Sequence, residues 1–136
     1  MKFGYRNIIA GGAVLFLGAA GGFALGLTMD HFLDKGFYAI PLNRLLIKAG
    51  HTHGMPFALY NIIIGSLVDR LALGDTWKKR CSFAALLAFL MPVGLILRGL
   101  DDGAPKFAVV VFFGALFFLT SAGIVIKGAL AERGQK

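Results

Sequence analysis

Residues 107–126, FAVVVFFGALFFLTSAGIVI, run for twenty positions without one charged side chain. Such a run leaves few folds open. Twenty residues of α-helix reach about 30 Å, the thickness of a bilayer's hydrocarbon core. Lipid offers backbone amides no hydrogen bonds, so a segment crossing it satisfies them internally as a helix. Three more apolar runs, at about 8–29, 53–68 and 81–97, precede this one. Only 15% of the 136 residues are charged and the mean hydropathy is +0.76, whereas a soluble domain carries about 25% charged residues. The expected fold is all-α, an integral membrane bundle of four transmembrane helices forming a single membrane domain over 1–136. A chain of this length has no room for a soluble catalytic module beside the spans.

The first run follows Lys2 and Arg6, as a signal peptide would. It is longer than a usual signal core and no Ala-x-Ala cleavage site follows, so a retained helix is expected. Gly18, Gly22 and Gly26 lie four apart on one face, with Gly11 seven before Gly18. In lipid such a face lets another helix or subunit approach closely. Residues 30–50, with Asp30, His31, Asp34 and Lys35, form the longest polar connection. Within it Pro41 suits a helix start, and Leu42, Leu45 and Leu46 share a face that could lie in the interface. Pro92 should kink the third run by leaving a carbonyl without its donor.

The net charge is +7. The basic residues cluster in short loops, as topology signals and contacts to membrane lipids do. No recognition helix or aromatic-basic strand accompanies them, so a nucleic-acid partner is not expected. Lys2, Arg6, Arg70, Lys78, Lys79, Arg80, Lys127, Arg133 and Lys136 fall on one side of a four-pass topology; Lys35, Arg44, Lys48, Arg98 and Lys106 fall on the other. The side richer in cations is the cytoplasmic one. Both termini are therefore expected in the cytoplasm, the protein in the cytoplasmic (inner) membrane and the histidine segment outside.

Several chemistries are excluded or left without support. Cys81 is the only cysteine, so there is no intramolecular disulfide and no CxxC metal site. Acidic residues are absent from the middle of every run, against an ion-coupled transporter. Asp101-Asp102-Gly103 has too few ligands for a cation site and reads as a solvated turn. No nucleophile–base pair, phosphate loop or dinucleotide fingerprint occurs.

One segment stands apart. In AGHTHGMPFALYN, residues 49–61, two histidines and an asparagine sit at the head of the second run, where removing polar groups from water is costly unless something compensates. On a helix, at about 100° per residue, His51 and His53 point to nearly opposite sides. One metal ion therefore cannot take both without a break at Gly50 or Gly54. His53, Phe57 and Tyr60 form a stripe, with an imidazole at the mouth and aromatic surface below, suited to a flat macrocycle with an axial histidine. Asn61 lies about 80° from each histidine. A plainer role also fits these residues: histidine and tyrosine bonding water or headgroups at the interface, and Asn61 bonding across to another helix.

Lys48-Ala49-Gly50-His51-Thr52 is similar to the basic-Ala-His-Ser turn of small four-helix membrane proteins of the styrene oxide isomerase type. His53-Gly54-Met55-Pro56-Phe57-Ala58-Leu59-Tyr60-Asn61 is similar to the Gly-Pro-Ala-Leu-Asn stretch that follows it there. The resemblance implies haem b held at the subunit interfaces of a homotrimer, with a second-span histidine on the iron. It implies ferric haem acting as a Lewis acid that opens a small apolar epoxide to an aldehyde. One frame selects His51 as the metal ligand and the other selects His53; Phe57, Tyr60 and Asn61 would line the haem or its open face. The alternative function is a non-catalytic membrane subunit or scaffold that packs into a larger complex through the glycine face.

Overall fold

The computed structural model describes residues 1–27 and 41–133. Residues 28–29 of the first expected span, the connection with Asp30, His31, Asp34 and Lys35, and Lys136 lie outside these, as do the surroundings of Gly26. All regular structure among the described residues is helical: α1 (Tyr5–Leu27), α2 (Pro41–Leu67), α3 (Asp75–Leu87), α4 (Leu90–Leu100) and α5 (Ala108–Arg133), with short 3-10 turns at Val68–Arg70 and Pro105–Phe107.

Three segments are long and apolar enough to cross a membrane: Tyr5–Ala24, Asp75–Leu100 (α3 and α4 together) and Pro105–Arg133. The second helix is the exception. Its 27 residues run through both the basic piece expected at the interface and the second apolar run. Gly50 and Gly54 do not interrupt it. Pro56 lacks the N–H that would serve the Thr52 carbonyl, but the helix continues past it. The apolar part, residues 53–67, accounts for only about 22 Å of rise.

Many large apolar side chains face outward, among them Phe16 (73% exposed) and Leu119 (65%), while the interior sets Ala58, Ala84, Ala85, Ala88 and glycines around a small cluster of Ile64, Val68 and Ile124. Water would penalise that arrangement; lipid does not. Small residues let the helices meet backbone to backbone. Gly4, Gly11 and Gly18, seven apart, lie along α2 against Gly65, against the Ala58 carbonyl and Ile62, and beneath Met55. Of the expected glycine face, Gly11, Gly18 and Gly22 thus meet a helix of the same chain. Gly50 meets the Pro92 carbonyl and Ile96 on α4, and Gly114 of α5 meets the Met91 backbone.

The third run does break, four residues before its proline. Pro92 has no N–H for the Ala88 carbonyl, and Met91 N–H takes that carbonyl instead at 3.1 Å. Phe89 N–H in turn bonds Leu86 at 3.2 Å, three residues back rather than four. The break separates α3 from α4. At the far end, Asp102 (φ 45°) and Gly103 (φ 77°) turn the chain into α5. Arg98 donates to the Gly103 carbonyl, Asn43 of α2 donates to Asp102 Oδ1 at 2.7 Å, and Lys106 pairs with Asp101 at 2.6 Å.

Candidate functional site

The helix α2 carries every residue singled out in the histidine segment, and its continuity sets where each one points. His53 Nδ1 lies 2.7 Å from the Ala49 carbonyl. A carbonyl only accepts, so the proton is on Nδ1. In the neutral ring Nε2 then keeps its lone pair. The ring is exposed. One and two turns further along the same stripe, Phe57 stacks on Phe118 of α5 (centroids 4.8 Å apart, 15° between planes) and Tyr60 meets the same ring edge-on at 5.0 Å. Phe57 is buried by that contact. The aromatic surface below His53 is therefore covered by α5 within the chain.

His51 points the other way, towards α1. A Cβ placed at Gly22 would stand 3.7 Å from its Cε1 and 3.8 Å from its Nε2. His51 and Met55, one turn apart, line an open groove of about 340 Å³ between α1, α2 and α4. Gly18, Gly21, Gly50 and Gly54 form its floor and Phe89, Pro92 and Val93 its far wall. This volume is at the small end of the range for small-molecule sites. The imidazole supplies its one titratable side chain. A flat macrocycle on His51 would have to lie in this groove, against α1 and α4.

Asn61 belongs to neither histidine. It is fully buried; Nδ2 donates to the Phe57 carbonyl at 3.0 Å and to the Ala85 carbonyl at 2.9 Å, and Oδ1 accepts from Asn7 Nδ2 at 2.9 Å. The Ala85 bond has a local cause. At the α3–α4 break Phe89 N–H turns to Leu86, which leaves Ala85 without the helical donor four residues on. Asn61 supplies one. Asn7 also donates to the Ser82 carbonyl at 2.9 Å, and the Ser82 hydroxyl lies between Asn7 Oδ1 and the Phe3 carbonyl. Next to this cluster, Tyr60 donates to Ser121 Oγ at 3.0 Å, and Ser121 Oγ lies 3.2 Å from the Cys81 carbonyl. Adjacent pairs, 60–61 and 81–82, thus knit α1, α2, α3 and α5 together. Sequence reasoning did not single out Asn7, Ser82 or Ser121; their signal was a small polar residue within or beside an apolar run.

Among the described residues, no group of three or more His, Cys, Asp or Glu side chains converges on one point. Comparison with protein-family models, with curated proteins and with solved structures returns no match.

Proposed function

We propose that the chain is a four-pass protein of the inner membrane that binds haem b through His53 and acts on a small apolar epoxide-type substrate as an isomerase. The observation that carries the reading is the Nδ1–Ala49 hydrogen bond. Metal-bound histidines characteristically donate their other ring N–H to a carbonyl or carboxylate, which fixes the tautomer and raises ligand basicity. His53 has that arrangement, and its Nε2 lies on an exposed ring. Because Phe118 covers the aromatic stripe within the chain, the macrocycle would lie at the rim of α2, in a contact shared with a second copy. The trimer suggested by the resemblance would provide one. When bound, ferric haem supplies a Lewis-acid iron for the epoxide oxygen. His51 would take no part in ligation; Tyr60 and Asn61 would hold α2 in place.

The fourth crossing is part of the proposal. Residues 53–67 fall short of about 30 Å alone, and the turn preceding His53 would make up the length, with Lys48 and Arg44 at the outer surface. The cation count supports cytoplasmic termini. A fluorescent protein that matures only in the cytoplasm, fused to the C-terminus, is expected to glow; a dark but full-length fusion reverses the orientation.

The cofactor is tested by purification in mild detergent from haem-supplied cells. A Soret band is expected in the wild type and in His51→Ala, and its loss in His53→Ala at unchanged yield. A colourless wild type, or a band that survives His53→Ala, overturns the assignment. Formation of an aldehyde from an aryl epoxide by the coloured protein tests the activity.

A further inference from the structure

At the other end of the molecule, where α1 and α3 begin, lies a second cavity of about 510 Å³. Lys2, Arg6 and Lys79 converge on it with Tyr5, and Phe83 and Leu86 form its wall down α3. Lys2 already has an anion in Asp75, but Arg6 and Lys79 repel each other unless a further anion joins them. The carboxylates at hand are already engaged. Asp75 pairs with Lys2, and Asp69 accepts the backbone N–H groups of Lys2 (2.9 Å) and Phe3 (3.1 Å). Among the described residues neither Arg6 nor Lys79 pairs with a carboxylate; Arg6 donates to the Tyr5 hydroxyl at 3.0 Å.

The depth of the bowl is marked independently. Trp77 lies in the same first turn of α3, with Lys127 Nζ 3.9 Å from its ring centroid and Arg80 5.4 Å from it. Tryptophan with basic neighbours at the start of an apolar helix is characteristic of a headgroup layer. Below the cations the wall turns apolar, and Phe83 is exposed on the outside of α3.

We propose that this cavity is a binding site for one anionic phospholipid, its phosphodiester held by Arg6 and Lys79 and an acyl chain lying along Phe83 and Leu86. Free phosphate would match the charges but leave the apolar wall uncovered; a zwitterionic lipid would match the wall but bring its own cation into the bowl. The inference rests on the membrane placement of α1 and α3 and not on haem, so a colourless protein leaves it standing.

The test is thermal unfolding of the full chain in mild detergent with added phosphatidylglycerol, phosphatidylcholine or inorganic phosphate. Phosphatidylglycerol is expected to raise the midpoint in a saturable way, and the other two to leave it nearly unchanged. Each basic residue near an anionic surface strengthens attraction roughly fivefold, so the double variant R6Q/K79Q should weaken the lipid's apparent affinity by about 25-fold. The control K106Q/R133Q removes the same charge elsewhere and should bind as the wild type does. Equal stabilisation by phosphatidylcholine, equal stabilisation by phosphate, or equal weakening in the control would each overturn the site. Should R6Q/K79Q not fold, native mass spectrometry of the wild type decides: one retained phosphatidylglycerol, not displaced by phosphatidylcholine, supports the proposal, and no retained lipid overturns it.

Discussion

Gly114→Leu is expected to leave no assembled bundle in detergent. Gly114 lies in α5 where that helix crosses the Met91 backbone, and a Cβ there would fall on the Met91 nitrogen and α-carbon. Those are main-chain atoms with no rotamer to give way. They also belong to the first turn of α4, just past the break imposed by Pro92, where Met91 N–H is already committed to Ala88. Separating the helices enough to admit leucine would open the contacts that Gly94 makes with Val111 one turn along. Overpacking a fitted interior commonly costs about 1–3 kcal/mol even when side chains can adjust, and here backbone must move. The control is on the same helix. Gly123 has open space where its Cβ would stand, so Gly123→Leu should be neutral or slightly stabilising, because glycine costs a helix roughly 1 kcal/mol relative to good helix formers. Size-exclusion profiles of the two variants check both: a monodisperse peak for Gly114→Leu would mean that α4 and α5 do not meet as described.

The helices were largely legible in the sequence because lipid imposes a simple condition. A run of about twenty apolar residues has one economical way to satisfy its backbone, and α1, α3 with α4, and α5 follow the runs at 8–29, 81–97 and 107–126. The effect of Pro92 was legible in kind, but its position was not, since the missing N–H is felt at the carbonyls of the preceding turn. The sequence pattern divides the second helix into two pieces, an interfacial stretch from Pro41 and an apolar run from 53, whereas the helix is continuous. Two glycines and a proline weaken a helix, but packing against α1 and α4 outweighs their intrinsic cost. The opposed directions of His51 and His53 follow from helical period alone. What the histidines face does not: that needed Gly22 from α1 and Phe118 from α5. The polar network was the least legible part. Asn7, Asn61, Ser82 and Ser121 are separated by tens of residues, and hydrogen bonds between side chains so far apart leave no local pattern to read.

Asn61→Leu carries the second large effect, and it separates a structural asparagine from a ligand-binding one. The substitution keeps the branching and the number of heavy atoms but removes both donors and the acceptor, and its two methyl groups are bulkier than the amide in a fully buried site. The Phe57 carbonyl keeps its helical partner. The Ala85 carbonyl does not, because Phe89 N–H has turned to Leu86 at the break. Asn7 Nδ2 loses one of its two acceptors. Each buried polar group left unpaired costs about 1–3 kcal/mol, while side-chain hydrogen bonds measured inside membrane proteins average about 0.6 kcal/mol. Together these place the loss at roughly 2–4 kcal/mol, readable as a lower midpoint in denaturant titration. Removing both partners of a buried hydrogen bond is gentler than removing one. The Asn7→Leu, Asn61→Leu double variant should therefore be less destabilised than the sum of the single variants, with a coupling of at least about 0.5 kcal/mol. If Asn61 instead touched a bound macrocycle, the single variant would shift the Soret maximum while leaving stability almost unchanged. The network requires the opposite pattern: a marked fall in stability and, in protein loaded with haem, no shift of the Soret maximum.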